Sequence, residues 1–160
     1  MEKKLIYNIW LSERNRNHND VTEKRAGEIY RYCQSHGIKV LCFESEEYPD
    51  SLRLITEPPR VLFCIGDISL LKSFSVAVVG TRRASSYGLW IAREIGKTLA
   101  SCNVVHVSGM AEGIDSAGHL GTLDGRGKSI AVLGTGVDVC FPYSSRNIYA
   151  RLKEKGLIVS

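Results

Sequence analysis

Two adjacent arginines, Arg82 and Arg83, follow directly on the β-forming run "VAVVG" in "VAVVGTRRASSYG" (Val76 to Gly88). Paired guanidinium groups at the mouth of a strand suit a planar, multiply charged anion, and phosphate is the commonest such group. Two more glycine-bearing turns follow: Ser108 with Gly109, and Gly134 with Gly136, matching Gly80 with Thr81 in the first. Glycine in such turns allows backbone N–H groups to approach an anion closely. Known phosphate loops are not reproduced. Only Gly80 precedes Gly88, so the GxGxxG dinucleotide fingerprint is missing, and no GxxxxGK run with a following Ser or Thr occurs. Arginines in place of extra glycines suit a bulky charged backbone better than a pyrophosphate tucked against a helix.

Other chemistry-bearing residues read as structural. Asp115 and His119 stand one helical turn apart, with Asp115 expected to cap its helix and His119 to be a hydrogen-bonded neighbour beneath the pocket. Ser108 lacks a GxSxG context, and Asp138 after "GTG" reads as a turn residue. Cys33, Cys42, Cys64, Cys102 and Cys140 show no CxxC pair and no metal-ligand spacing, so they are expected to be buried, reduced thiols. No metal and no cofactor is implied.

The elements that position these turns alternate regularly from Val76. "SVAVVG" is expected as a strand buried on both faces, Tyr87 to Cys102 as a helix, and "NVVHVSG" as the next strand. A helix over Asp115 to Leu123, the strand "SIAVLGTG", a helix over Ser145 to Lys155 and the strand "GLIVS" follow. This order implies an α/β fold with a doubly wound, mostly parallel sheet, whose three glycine turns share the edge where open α/β folds bind ligands. Ahead of it, "RNRNHND" reads as a loop ending in an Asn19 or Asp20 cap for a helix over about Val21 to His36, with Glu23 as capping-box partner of Asp20. "IKVLCF" is a short strand, and two adjacent prolines precede a strand at Val61 to Ile65. This front section reads as a small helical and extended cap.

At 160 residues and 44% hydrophobic content the chain can bury a core. It has no run of about 18 apolar residues, and its first residues break into charge before a signal core forms, so a cytoplasmic protein without a membrane partner is expected. Met1 to Val79 carries 11 Lys+Arg against 11 Asp+Glu, whereas Gly80 to Ser160 carries 10 against 6, so the net charge of +4 belongs to the second half.

The segments "YPDSLRLITEPPRVLFCIGD", "VAVVGTRRASSYG", "VSGMAEGIDSAGHLGTL" and "GKSIAVLGTGVDVCFP", in this order, resemble the DNA-processing protein A (DprA/Smf) family. The resemblance runs from about Tyr48 to Ser160, giving a small N-terminal segment over residues 1–47 and a Rossmann-like domain over 48–160. It implies a non-enzymatic protein that binds single-stranded DNA in DNA uptake and natural transformation, with a RecA-type recombinase and a second copy of itself as partners. The DNA-contacting set it implies is Gly80, Thr81, Arg82, Arg83, Ser85, Ser108, Gly109, Gly113, Gly134, Gly136, Arg146 and Tyr149, with Tyr149 either stacking a base or packing its helix on the sheet. Glu112 stands where the family usually has a basic residue and Ser145 where it usually has asparagine. The carboxylate is expected to pair with Arg82 or Arg83. The family continues through further strands beyond the one that holds Ser160, so the chain is expected to carry the N-terminal part of the domain. Two other readings share this edge: a nucleotide-binding enzyme akin to the lysine-decarboxylase-like phosphoribohydrolases, whose PGGxGT loop is missing here, and a nucleotide-sensing module.

Overall fold

A computed structural model describes residues 2–15 and 22–160. The chain divides into two compact units, Met1–Cys64 and Ile65–Ser160.

The first unit opens with helix α1 (Glu2–Asn15), which takes in the first two residues of the stretch "RNRNHND" expected as a loop; the rest of that stretch lies outside the described residues. Ile6, Ile9 and Trp10 recur at helical spacing and pack with Ala26 and Val61 in the core of this unit, which outweighs the polar composition. Helix α2 (Glu23–Ser35) is capped by Thr22, whose hydroxyl accepts from the Arg25 N–H; Asn19 and Asp20 lie outside the described residues. Strand β1 (Lys39–Cys42), the single helical turn α3 (Asp50–Arg53) and strand β2 (Val61–Gly66) follow, with β1 and β2 antiparallel. Arg53 organises the connector. Its guanidinium donates to the carbonyls of Phe43 and Ser45 and lies 5.0 Å from the centre of the Tyr48 ring, while the buried Tyr48 hydroxyl donates to the Pro59 carbonyl at 2.7 Å.

The second unit holds strand β3 (Ser75–Ala77), helix α4 (Ser86–Ser101), strand β4 (Val105–Ser108) and helix α5 (Ile114–Asp124). Strand β5 (Ser129–Val132), helix α6 (Arg146–Lys155) and strand β6 (Leu157–Val159) complete it. β3, β4, β5 and β6 pair in parallel in that order, as the alternating pattern requires. Val105, Ile130, Ala131, Leu157 and Ile158 are buried, as expected of inner parallel strands. β3 differs from expectation. It sits at the edge of the sheet with all three residues exposed, and the apolar run "SVAVVG" reflects β-propensity without two-sided burial.

Helices α4 and α5 pack backbone to backbone. An ideal Cβ at Gly96 would lie 2.3 Å from the Gly118 carbonyl oxygen, and one at Gly121 would lie 2.0 Å from that of Arg93. Asp124 joins α5 to both neighbours, its carboxylate accepting from Arg93 of α4 and from Arg151 of α6.

Candidate functional site

Because β3, β4 and β5 run parallel in register, the turns after them leave the same edge of the sheet. Together they line an open cavity of about 430 Å³, bounded by Arg82, Gly109, Ala111, Glu112, Leu133, Gly134, Thr135, Phe141 and Pro142. Arg82, Gly109 and Gly134 come from three separate turns of the sequence, and the fold brings them to one place.

The first turn is set by its own side chains. The Thr81 hydroxyl accepts from the Arg83 N–H at 3.1 Å, and Ser85 caps α4 by accepting from the Gly88 N–H at 3.1 Å. Gly80 has no room for a side chain, since a Cβ there would meet Ile114 at 2.7 Å. Gly113 has φ +84° and an ideal Cβ 2.3 Å from the Thr81 carbonyl, so only glycine lets the second turn close on the first. The Ile114 N–H donates to that same carbonyl at 3.3 Å. Gly80 and Gly113 therefore act by docking one turn on the other.

In the second turn Ser108 is buried and donates to the Val78 carbonyl at 2.7 Å, bracing β4 against the segment after β3. Asp115 does not cap its own helix: Gly113 occupies that position, and the Asp115 carboxylate accepts from the Gly109 N–H at 3.1 Å. Met110 is fully buried with φ +58°, a left-handed conformation that costs a non-glycine residue roughly 1–2 kcal/mol. Its carbonyl accepts from the Ser145 hydroxyl at 3.1 Å, and Ser145 also meets the Ser116 hydroxyl at 3.1 Å. The serine at this position is thus a tie between the second turn and the start of α6.

Glu112 does not meet Arg82 or Arg83. Its Oε1 accepts from the Ser144 hydroxyl at 2.8 Å, and among the described residues no Lys or Arg forms an ion pair with it. In the third turn Gly134 has open space around it, and the Val139 N–H donates to the Gly136 carbonyl at 3.0 Å, which puts Asp138 within a turn as expected. Nine residues of the expected set lie apart from the cavity lining, Arg146 and Tyr149 among them. Arg146 opens α6 with its guanidinium 5.1 Å from the centre of the Tyr143 ring. Tyr149 donates to the Val137 carbonyl at 2.7 Å and carries the Lys153 ammonium 5.6 Å from its ring centre, so its ring braces the third turn. Arg83 and Ser85 also stand outside the lining. Phe141, which the sequence did not single out, lines the cavity and is 64% exposed.

Beneath this edge, His106 of β4 and His119 of α5 are fully buried, edge to face at 4.7 Å, and both Nδ1 atoms lie 2.8 Å from the Ser129 hydroxyl. Ser129 has one hydrogen. Donated to the His106 carbonyl at 3.2 Å, it leaves the oxygen to accept from both Nδ1–H groups, and both Nε2 atoms are then bare acceptors without a partner among the described residues. Burial lowers the His106 pKa from the ordinary 6.5 to about 4, with Asp115 opposing. Burial and the neighbouring His106 lower that of His119 further. His119 and Asp115 are therefore not a couple: one bonds Ser129, the other Gly109. Among the cysteines, Cys33, Cys42 and Cys64 are buried free thiols, with burial pushing Cys64 up to about 12. Cys102, at the solvent-facing end of α4, is exposed and Cys140 half-buried, contrary to expectation. No helix of the described residues is long and apolar enough to cross a membrane.

Comparison with known proteins places these features. Residues 39–160 match the family model of DNA recombination-mediator protein A. Protein Smf of Escherichia coli (strain K12) is 42% identical over 113 residues, covering 71% of this chain and 30% of that protein. The X-ray structure of DNA processing protein A from Streptococcus pneumoniae superposes with a TM-score of 0.72 at 28% identity, covering 99% of this chain and 62% of that one. DNA processing protein A from Helicobacter pylori, whose structure concerns its single-stranded DNA binding mode, gives a TM-score of 0.67 at 28% identity over 76% of this chain and 55% of that one. The chain thus spans less than half the length of the curated relatives it matches.

Proposed function

The chain belongs to the DNA recombination-mediator protein A family, and from that premise we propose that it binds single-stranded DNA along the shared edge of β3, β4 and β5. Arg82 and backbone N–H groups of the three turns, other than those of Gly109 and Arg83 that serve Asp115 and Thr81, hold phosphates, with Arg83 and Arg146 flanking. The observation that carries this reading is the convergence of Arg82, Gly109 and Gly134 on one cavity. The role is binding rather than catalysis, in a cytoplasmic protein that passes the strand to a RecA-type recombinase and associates with a second copy of itself.

The test is a titration of a fluorescent single-stranded oligonucleotide beside a duplex of equal length and beside free nucleotides. Preference for the single strand is expected. Tight binding of a mononucleotide without the oligonucleotide would transfer the site to a nucleotide-binding enzyme or sensor.

A further inference from the structure

The cavity holds two opposite charges that do not neutralise each other. Arg82 lines it from the first turn and Glu112 from the second. Ser144 engages one oxygen of the carboxylate, Oε1, which fixes the group, and Oε2 has no partner among the described residues. The rest of the lining includes the apolar Leu133, Pro142 and the exposed ring of Phe141, while the Thr135 hydroxyl donates to the Val139 carbonyl. A phosphate is attracted by Arg82 and repelled by Glu112. A nucleotide satisfies both if its phosphate meets the guanidinium, its base lies on Phe141 and an exocyclic amino group of the base reaches Oε2. A volume of about 430 Å³ lies within the range of single-ligand sites.

We propose that the cavity takes one nucleotide of the bound strand with its base turned inward, and that Glu112 selects bases bearing an exocyclic amino group, cytosine before thymine. This rests on the single-stranded DNA reading of the same edge. The selection is electrostatic. Cytosine presents its N4 amino group as a donor to the carboxylate, whereas thymine presents the O4 acceptor at the same position. Stacking on Phe141 is common to both pyrimidines and does not discriminate. Glu112 thereby turns an otherwise sequence-neutral phosphate surface into one with a base preference at a single position.

The experiment compares oligo(dC) and oligo(dT) of equal length at one salt concentration and pH 8, for the wild-type chain, Glu112→Gln and Ser144→Ala. Tighter binding of oligo(dC) by the wild type is expected, by roughly three- to tenfold, the worth of one charge-assisted hydrogen bond in a partly exposed site. Glu112→Gln brings the ratio close to one, chiefly by gaining affinity for oligo(dT), and Ser144→Ala reduces it by freeing the carboxylate. Equal wild-type affinities, or a ratio that survives Glu112→Gln, would overturn the inference while leaving the function intact. Failure of both oligonucleotides to bind would overturn the function and the inference with it.

Discussion

Arg82 lines the cavity and Arg83 does not, so two neighbouring guanidinium groups of the same charge are separable by experiment. Arg82→Ala is expected to weaken single-stranded DNA binding and to lower the slope of log affinity against log salt by about one ion. Arg83→Ala should leave that slope nearly unchanged, and an equal loss in both variants would mean that general surface charge governs binding. At the buried histidines the expectation concerns stability. Unfolded histidine binds a proton near pH 6.5, whereas folded His106 does so only near 4, so the unfolded chain holds more protons throughout that window. The contribution of the neutral pair is complete above pH 6.5 and is lost as pH falls towards 4. Thermal melts of the wild type should show midpoints dropping across this window, and His119→Gln should flatten the drop; an unchanged profile would show that the pair does not govern it. Neither this pair nor the Ser144 partner of Glu112 could be read from spacing. His106 and Ser129 are 23 positions apart, Glu112 and Ser144 are 32, and only the register of β4 with β5 and the path of the third turn bring them together.

The parallel elements were legible because each carries its own signal. Apolar runs ending at glycine mark β4 and β5, and the spacing of Ile91, Ile95 and Leu99 marks α4. α1 was hidden because its apolar stripe is narrow, Ile6, Ile9 and Trp10 among charged residues, and β3 because propensity does not distinguish an edge strand from an inner one. The glycines of α4 and α5 were the least legible. In sequence Gly96, Gly118 and Gly121 look like weak points in helices, since glycine disfavours a helix interior. In the fold they are where two backbones touch. Gly121→Ala should therefore destabilise the chain, by about 1–3 kcal/mol or more, despite alanine's better helix propensity. Urea denaturation decides the point: a gain in stability would mean that the helices separate readily enough to admit a methyl group.

Across the whole chain the charge excess is small and confined to the half that carries the cavity, with net charge +4 in total. With Arg82 and Arg146 as the candidate phosphate contacts, the salt slope for single-stranded DNA should be no steeper than about −1.4, at roughly 0.7 ion per contact. A much steeper slope in a salt titration would assign phosphate contacts to basic residues away from this edge. The backbone contact between α4 and α5 also bears on the stiffness of the cavity wall. The first and second turns feed the N-termini of those two helices, and Gly113 seats one turn on the other, so both turns belong to a single stiff jaw. The third turn, residues 133–142, is the opposing jaw. Two hydroxyls at the start of α6 tie that jaw to the second turn, Ser144 on Glu112 and Ser145 on Met110, and Tyr149 braces it through the Val137 carbonyl.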